Sequence, residues 1–250
     1  MKTTSLLLPI ITVLQFFSCS SDDDTNSQVK GFFSTEIAAT GFSNPIDNLI
    51  IDIDYNSDNT ISRMTFTDGF NIKTKTYSYT NGRVTQVENE GYLGGPDVRS
   101  FIYDASGLLT SIIDETDSGS ETFPIAYNSE TNTYTITDGD TYSIVLDSSD
   151  NPYRYSSSFF TDLSITLDAS NSGVFKNVAP QVALQFDLVL FNSGHILYFL
   201  NQKQINHYEF GIQDFEVINS RDPQDNITTV GYHFDSETIQ LSISYQERNL

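Results

Sequence analysis

Asp52, Asp54, Asn56 and Asp58 alternate as the first ligands of an EF-hand calcium loop do. The rest of such a loop is missing. Asn59 stands where a reading from Asp54 needs glycine. The twelfth position is Arg63 counted from Asp52, or Thr65 counted from Asp54, where glutamate is required. The group is read as an exposed strand face running into a turn, and Asp138 to Asp140 and Asp147 to Asp150 as similar acidic turns. His195, His207 and His233 show no metal-pair spacing, and Cys19 is the single cysteine. No metal and no cofactor are expected. Gly41-Phe42-Ser43-Asn44-Pro45 is the nearest approach to a nucleophile elbow and lacks its final glycine. No glycine-rich phosphate loop is present. With 33 acidic residues, some carboxylate pair falls at glycosidase spacing by chance, and nothing in the sequence singles one out.

The most regular chemistry is aromatic. Tyr55, Tyr79, Tyr103 and Tyr127 recur every 24 residues. Such a row is either the core face of a sheet or a flat platform on which sugars stack, and the core reading is preferred. Two residues before each tyrosine stands Ile53, Tyr77, Phe101 or Ile125, with polar residues between, which is the pleat of a half-buried strand. A polar turn follows each tyrosine, and a second turn falls midway through each unit: Thr67-Asp68-Gly69, Gly94-Gly95-Pro96, Ser118-Gly119-Ser120 and Thr137-Asp138-Gly139. One period is therefore an antiparallel hairpin. Equivalent tyrosines then lie two strands apart, about 9.6 Å.

The register carries one irregularity. Apolar residues return six and nine positions after the first and third tyrosines (Ile61 and Met64, Leu109 and Ile112). Thr133 and Ile136 take those positions after the fourth. After Tyr79 they return at five and eight (Val84 and Val87). An odd separation cannot share one face of a regular strand, so either a bulge intervenes or both faces are partly covered.

Tyr103-Asp104-Ala105-Ser106-Gly107-Leu108-Leu109 resembles a YD repeat, the hairpin unit of RHS-type proteins, and Tyr79-Thr80-Asn81-Gly82-Arg83-Val84 is a looser copy. Phe175-Lys176-Asn177-Val178, followed by an apolar stretch and the return Leu200-Asn201-Gln202-Lys203-Gln204-Ile205-Asn206, is similar to segments of Bacteroidetes lipoproteins that carry a few such hairpins. The resemblance implies a fold type and a location, and no activity.

The ends of the chain are read separately. Leu6–Phe17 is an apolar run of 12 residues, too short to span a bilayer and suited to an export signal. Ser18-Cys19 resembles a lipoprotein processing site, with Phe16 where leucine is usual, so residues 1–18 are read as a lipoprotein signal peptide and Cys19 as lipidated. Residues 19–30 are read as a disordered acidic tether, with Asp22-Asp23-Asp24 similar to a surface-export signal. The formal net charge of −21 disfavours nucleic acid as a partner.

Beyond Thr137 further strands are expected at Thr141–Leu146, Phe159–Asp168, Tyr208–Ile218, Val230–Phe234 and Ile239–Tyr245, with Ala169–Gly173 a loop. Val182, Leu184, Phe186, Leu188 and Leu190 alternate strictly and predict the most apolar strand of all. The fold expected is all-β: an antiparallel meander of repeated hairpins in an elongated, twisted or curved sheet, open and barrel-like, with little or no helix. Residues 31–250 form one β-repeat domain with a soft boundary near 170. The function expected is a non-enzymatic binding or scaffold module. It is held to the membrane by its lipid anchor on the extracellular face of the outer membrane, or on the periplasmic face as the alternative, with a glycan or protein ligand. The other readings are a carboxylate-based hydrolase acting on glycans and a structural subunit of an outer-membrane assembly.

Overall fold

The computed structural model describes residues 29–41, 48–69, 71–91, 97–138, 140–158, 162–190, 200–234 and 237–250. The strands are β1 (Lys30–Thr40), β2 (Leu49–Tyr55), β3 (Ile61–Asp68), β4 (Asn71–Thr80), β5 (Arg83–Glu90), β6 (Asp97–Tyr103), β7 (Leu109–Thr116) and β8 (Gly119–Asn128). They continue as β9 (Thr133–Asp138), β10 (Asp140–Leu146), β11 (Pro152–Ser157), β12 (Leu163–Ser172), β13 (Lys203–Phe210), β14 (Gln213–Arg221), β15 (Ile227–Phe234) and β16 (Glu237–Asn249). Each pairs antiparallel with its sequence neighbours. β1 also pairs with β16, from Lys30↔Asn249 to Thr40↔Gln240, so the sheet closes into a barrel of 16 strands. The expected open, elongated meander is thereby corrected. The strands and hairpins are present, but accumulated twist brings the first strand to the last, which leaves no edge in the wall.

Alternation sets which side of each strand faces in. On β2, Ile51 and Ile53 are buried while Asp52 and Asp54 are exposed. On β16, Ile239, Leu241 and Ile243 are buried while Gln240, Ser242 and Ser244 are exposed. These strands put apolar side chains in the lumen and polar ones outside, the reverse of a lipid-facing barrel wall.

A repeated bulge curls the wall. Tyr55 pairs with Ile61 but Asp54 with Arg63, leaving Ser62 extra. Tyr79 pairs with Val84 but Ser78 with Gln86, leaving Thr85 extra. Tyr103 pairs with Leu109 but Ile102 with Ser111, leaving Thr110 extra. The same shift recurs at Leu146/Pro152 and Arg221/Ile227. Each bulge turns two residues of odd separation to one side, so Ile61 and Met64, Val84 and Val87, Leu109 and Ile112, and Ile227 and Val230 are all buried in the core. The bulged threonines Thr85, Thr110 and Thr228 donate their hydroxyls to the carbonyls of Ser78, Ile102 and Ser220 on the facing strand. After the fourth tyrosine the ladder is regular, with Tyr127 facing Tyr134. There the buried pair is Tyr134 and Ile136, and Thr133 is not part of it.

Three turns that precede bulges share one construction. The Oδ1 of Asp104, Asp147 and Asp222 accepts from the backbone N–H groups two and four residues on. The residue three on (Gly107, Asp150 or Asp225) takes a positive φ of 87°, 61° or 62°. Two expectations on the later chain are corrected. Tyr208–Ile218 is two strands joined at Gly211, and β12 continues through Ser172 where a loop was expected.

After β12 the chain leaves the wall, and the described residues up to 190 enter the lumen. Val182–Gln185 is one turn of α-helix, here α1, and Phe186–Leu190 is wound as a π-helix. The predicted strand over Val182–Leu190 is therefore wrong. Ala183, Leu184, Gln185, Phe186, Asp187 and Leu188 are all buried, because the segment is surrounded by barrel on every side. With every direction buried, alternation carries no information about a face, and with no neighbouring strand to pair with, the backbone must satisfy its own hydrogen bonds in a helix. Phe191-Asn192-Ser193-Gly194-His195-Ile196 repeats in sequence the short turn after Tyr79, and it lies outside the described residues.

Candidate functional site

The lumen is apolar through most of its length and charged in one layer. Register places that layer. Lys75 on β4 faces Asn89 on β5, which faces Asp97 on β6. Two residues further along β6, Arg99 faces Asp114 on β7. Into this layer the π-helix inserts Asp187. Lys75 (1% exposed), Asn89 (2%), Arg99 (4%) and Asp187 (0%) are buried. Asp187 Oδ1 accepts from Lys75 Nζ at 3.0 Å and Arg99 Nη1 at 2.6 Å, and its Oδ2 accepts from the Tyr77 hydroxyl at 3.4 Å. The wall steadies its own cations. Lys75 Nζ donates to Asn89 Oδ1 at 2.6 Å, and Arg99 Nη2 to Asp114 Oδ2 at 2.9 Å.

Burial dominates the electrostatics here. Loss of solvent pulls the Lys75 ammonium down from its usual range, against the attraction of Asp187. Burial lowers Arg99 too, but Asp187 and Asp114 more than offset it and hold the guanidinium above its usual value. Asp97 is pushed up, first by burial and then by Asp114, with Arg99 opposing. Removing Asp187 would leave the two wall cations without the carboxylate between them, and breaking comparable buried pairs costs about 3–5 kcal/mol.

Side-chain amides seat the rest of the plug, among them Asn177, which donates from Nδ2 to the Phe32 carbonyl at 2.8 Å. At the rim, Gln181 donates from Nε2 to the Gly82 carbonyl at 2.7 Å and accepts from the Val84 N–H at 3.4 Å. Deeper, Gln185 donates to the Leu200 carbonyl and accepts from the Tyr155 hydroxyl. Beside them lies a shallow depression of about 290 Å³, its open solvent included. Ile61, Phe175, Pro180, Leu184 and Leu200 are among its lining residues.

The residues singled out from the sequence are placed elsewhere. Tyr55, Tyr79 and Tyr103 are partly buried against the core, and their hydroxyls donate to the carbonyls of Ser34, Ile61 and Val84. Tyr127 donates to Asn132 Oδ1 and packs its ring 4.6 Å from that of Tyr134. Asp52 and Asp54 lie on the outer face, Asp54 paired with Arg63, and Asp58 caps Thr60, so the four alternating ligands do not converge. Among the described residues no group of three or more His, Asp, Glu or Cys could hold a metal ion. His207 lies 3.6 Å from Asp214, and His233 Nδ1 bonds the Thr238 hydroxyl. Cys19 and His195 lie outside the described residues. The charged layer was missed by sequence reading. Its signals are Asp187, a charge in the middle of an apolar run, and Lys75 and Arg99, each two residues before the inward-facing Tyr77 or Phe101.

No family model and no curated protein matches the sequence. Among solved structures, a porin-like protein from Bacteroides uniformis is 14% identical, with 85% of this chain and 96% of that one covered and a TM-score of 0.48. The expected membership among lipoproteins with YD-repeat hairpins is corrected, since the hairpins are staves of a closed barrel. The lipid-anchored surface module, with its membrane contact through an anchor, is likewise not retained. Its open hairpin array is replaced by the closed wall; Cys19 and the tether up to residue 28 lie outside the described residues, and Lys30, read as the end of the tether, opens β1.

Proposed function

We propose that the protein is a non-catalytic structural subunit of a membrane-associated envelope assembly, a barrel stoppered by its own chain. The observation that carries this reading is the filled lumen. Phe186 and Leu188 are buried in it, and Asp187 is tied to two wall cations. Among the described residues the plug side chains occupy the middle of the barrel where a solute would otherwise pass. The apolar run Leu6–Phe17, read as an export signal, supports an envelope location. Contact with partners would fall on the outer wall, where Ile50 and Ile72 are exposed in one row through Thr67. Ile102 and Ile218 stand out on other strands. The test is native electrophoresis of envelope extracts in mild detergent, probed for this chain. Migration with a larger particle is the expected result. A chain found only as a monomer would sink the proposal.

A further inference from the structure

We propose that Lys75, Arg99 and Tyr77 form a binding site for a small carboxylate, and that Asp187 of the plug occupies that site as a built-in ligand. The inference stands on the lumen geometry alone and does not depend on the assembly reading. Three donors converge from the wall on one carboxylate: Nζ of Lys75 and Nη1 of Arg99 on one oxygen, the Tyr77 hydroxyl on the other. Both cations are held by groups that do not belong to the plug, Lys75 by Asn89 and Arg99 by Asp114. The cradle is therefore complete in the wall before any carboxylate enters, and a preorganised site loses little on binding.

A guanidinium and an ammonium converging on one oxygen suit a carboxylate at that point. The occupant comes from a separate segment wound as a π-helix, a form that recurs at functional positions. The layer also lies near solvent on one side, since the Asp114 side chain is 19% exposed.

The experiment uses the full chain and its Asp187→Ala variant, with thermal unfolding followed against formate, acetate and chloride at matched ionic strength. Formate and acetate should raise the variant's midpoint saturably, by a shift on the order of 2–4 °C. Chloride should do much less. The natural chain should not respond, because its site is filled. An Asp187→Ala/Arg99→Met double variant should lose the response. No carboxylate-specific rise, an equal rise with chloride, a natural chain that responds as the variant does, or a double variant that still responds would each overturn the site. If Asp187→Ala does not fold, refolding is repeated in formate alongside Asp187→Asn. Recovery by formate supports the cradle, and failure of both variants to recover rejects it.

Discussion

Tyr103 shows how much a single side chain carries and how much of that the sequence disclosed. Its 24-residue spacing marked it as part of a row, but the use of its hydroxyl, a hydrogen bond of 2.8 Å to the Val84 carbonyl, had no trace in sequence. Tyr103→Phe keeps the ring and loses that bond, so urea unfolding should show a loss of about 1 kcal/mol. Burial pushes the phenols of Tyr55 and Tyr103 up to about 12. An unfolded phenol titrates near 10, so neutral tyrosine adds stability that is full below about pH 10 and is lost as pH rises through 12. Ultraviolet titration should show tyrosinate appearing together with loss of the β-sheet circular dichroism signal. At the acid end the sign reverses. Ser106 and nearby backbone N–H groups hold Asp104 below the ordinary carboxylate range, and Asn226 with its neighbours does the same for Asp222. Their contribution is present above about pH 4 and fades as pH falls below it. Asp104→Asn and Asp222→Asn should therefore flatten the acid limb of a stability–pH curve.

The bulged hairpin was largely legible, because an odd apolar spacing repeated in three copies has few structural explanations. Leu146-Asp147, 19 residues after Tyr127, reads as a degenerate fifth copy and opens a turn of the same build, whereas Arg221-Asp222 opens another that the 24-residue spacing does not mark. Deleting Thr110 removes one bulge and forces Leu109 or Ile112 out of the lumen. The deletion variant should unfold at markedly lower urea than Thr110→Ala, which keeps the extra residue. Gly91 tests a different joint. Its φ is +79°, and a Cβ there would sit 2.1 Å from the Ile72 carbonyl oxygen. Gly91→Ala should cost at least about 1–3 kcal/mol in the same assay. The plug was the element least legible, for a physical reason. Period-two patterning reports a strand only where one side meets water, and inside a barrel no side does.

For the molecule as a whole, the class of fold was legible and its closure was not. Closure depends on twist summed over many strands, and no local window of sequence contains that sum. If β1 and β16 meet as fully as their ten paired positions indicate, the seam is no weaker than the rest of the wall. Hydrogen exchange should find the amides of Ile37 and Leu241 protected about as strongly as those of Val87 and Phe101. A second consequence follows from the same junction. The Leu250 N–H donates to the Val29 carbonyl at 2.8 Å, beside the Lys30↔Asn249 pair. In space, residues 29 to 250 are thus a ring cut at one place, and the wall does not record where the cut was made. A circular permutant that joins 250 to 29 through a short glycine-serine link, and opens instead at Gly211-Ile212, exchanges one hairpin turn for another. It should reach the same barrel, with translation beginning at β14 and the native seam becoming an ordinary stave.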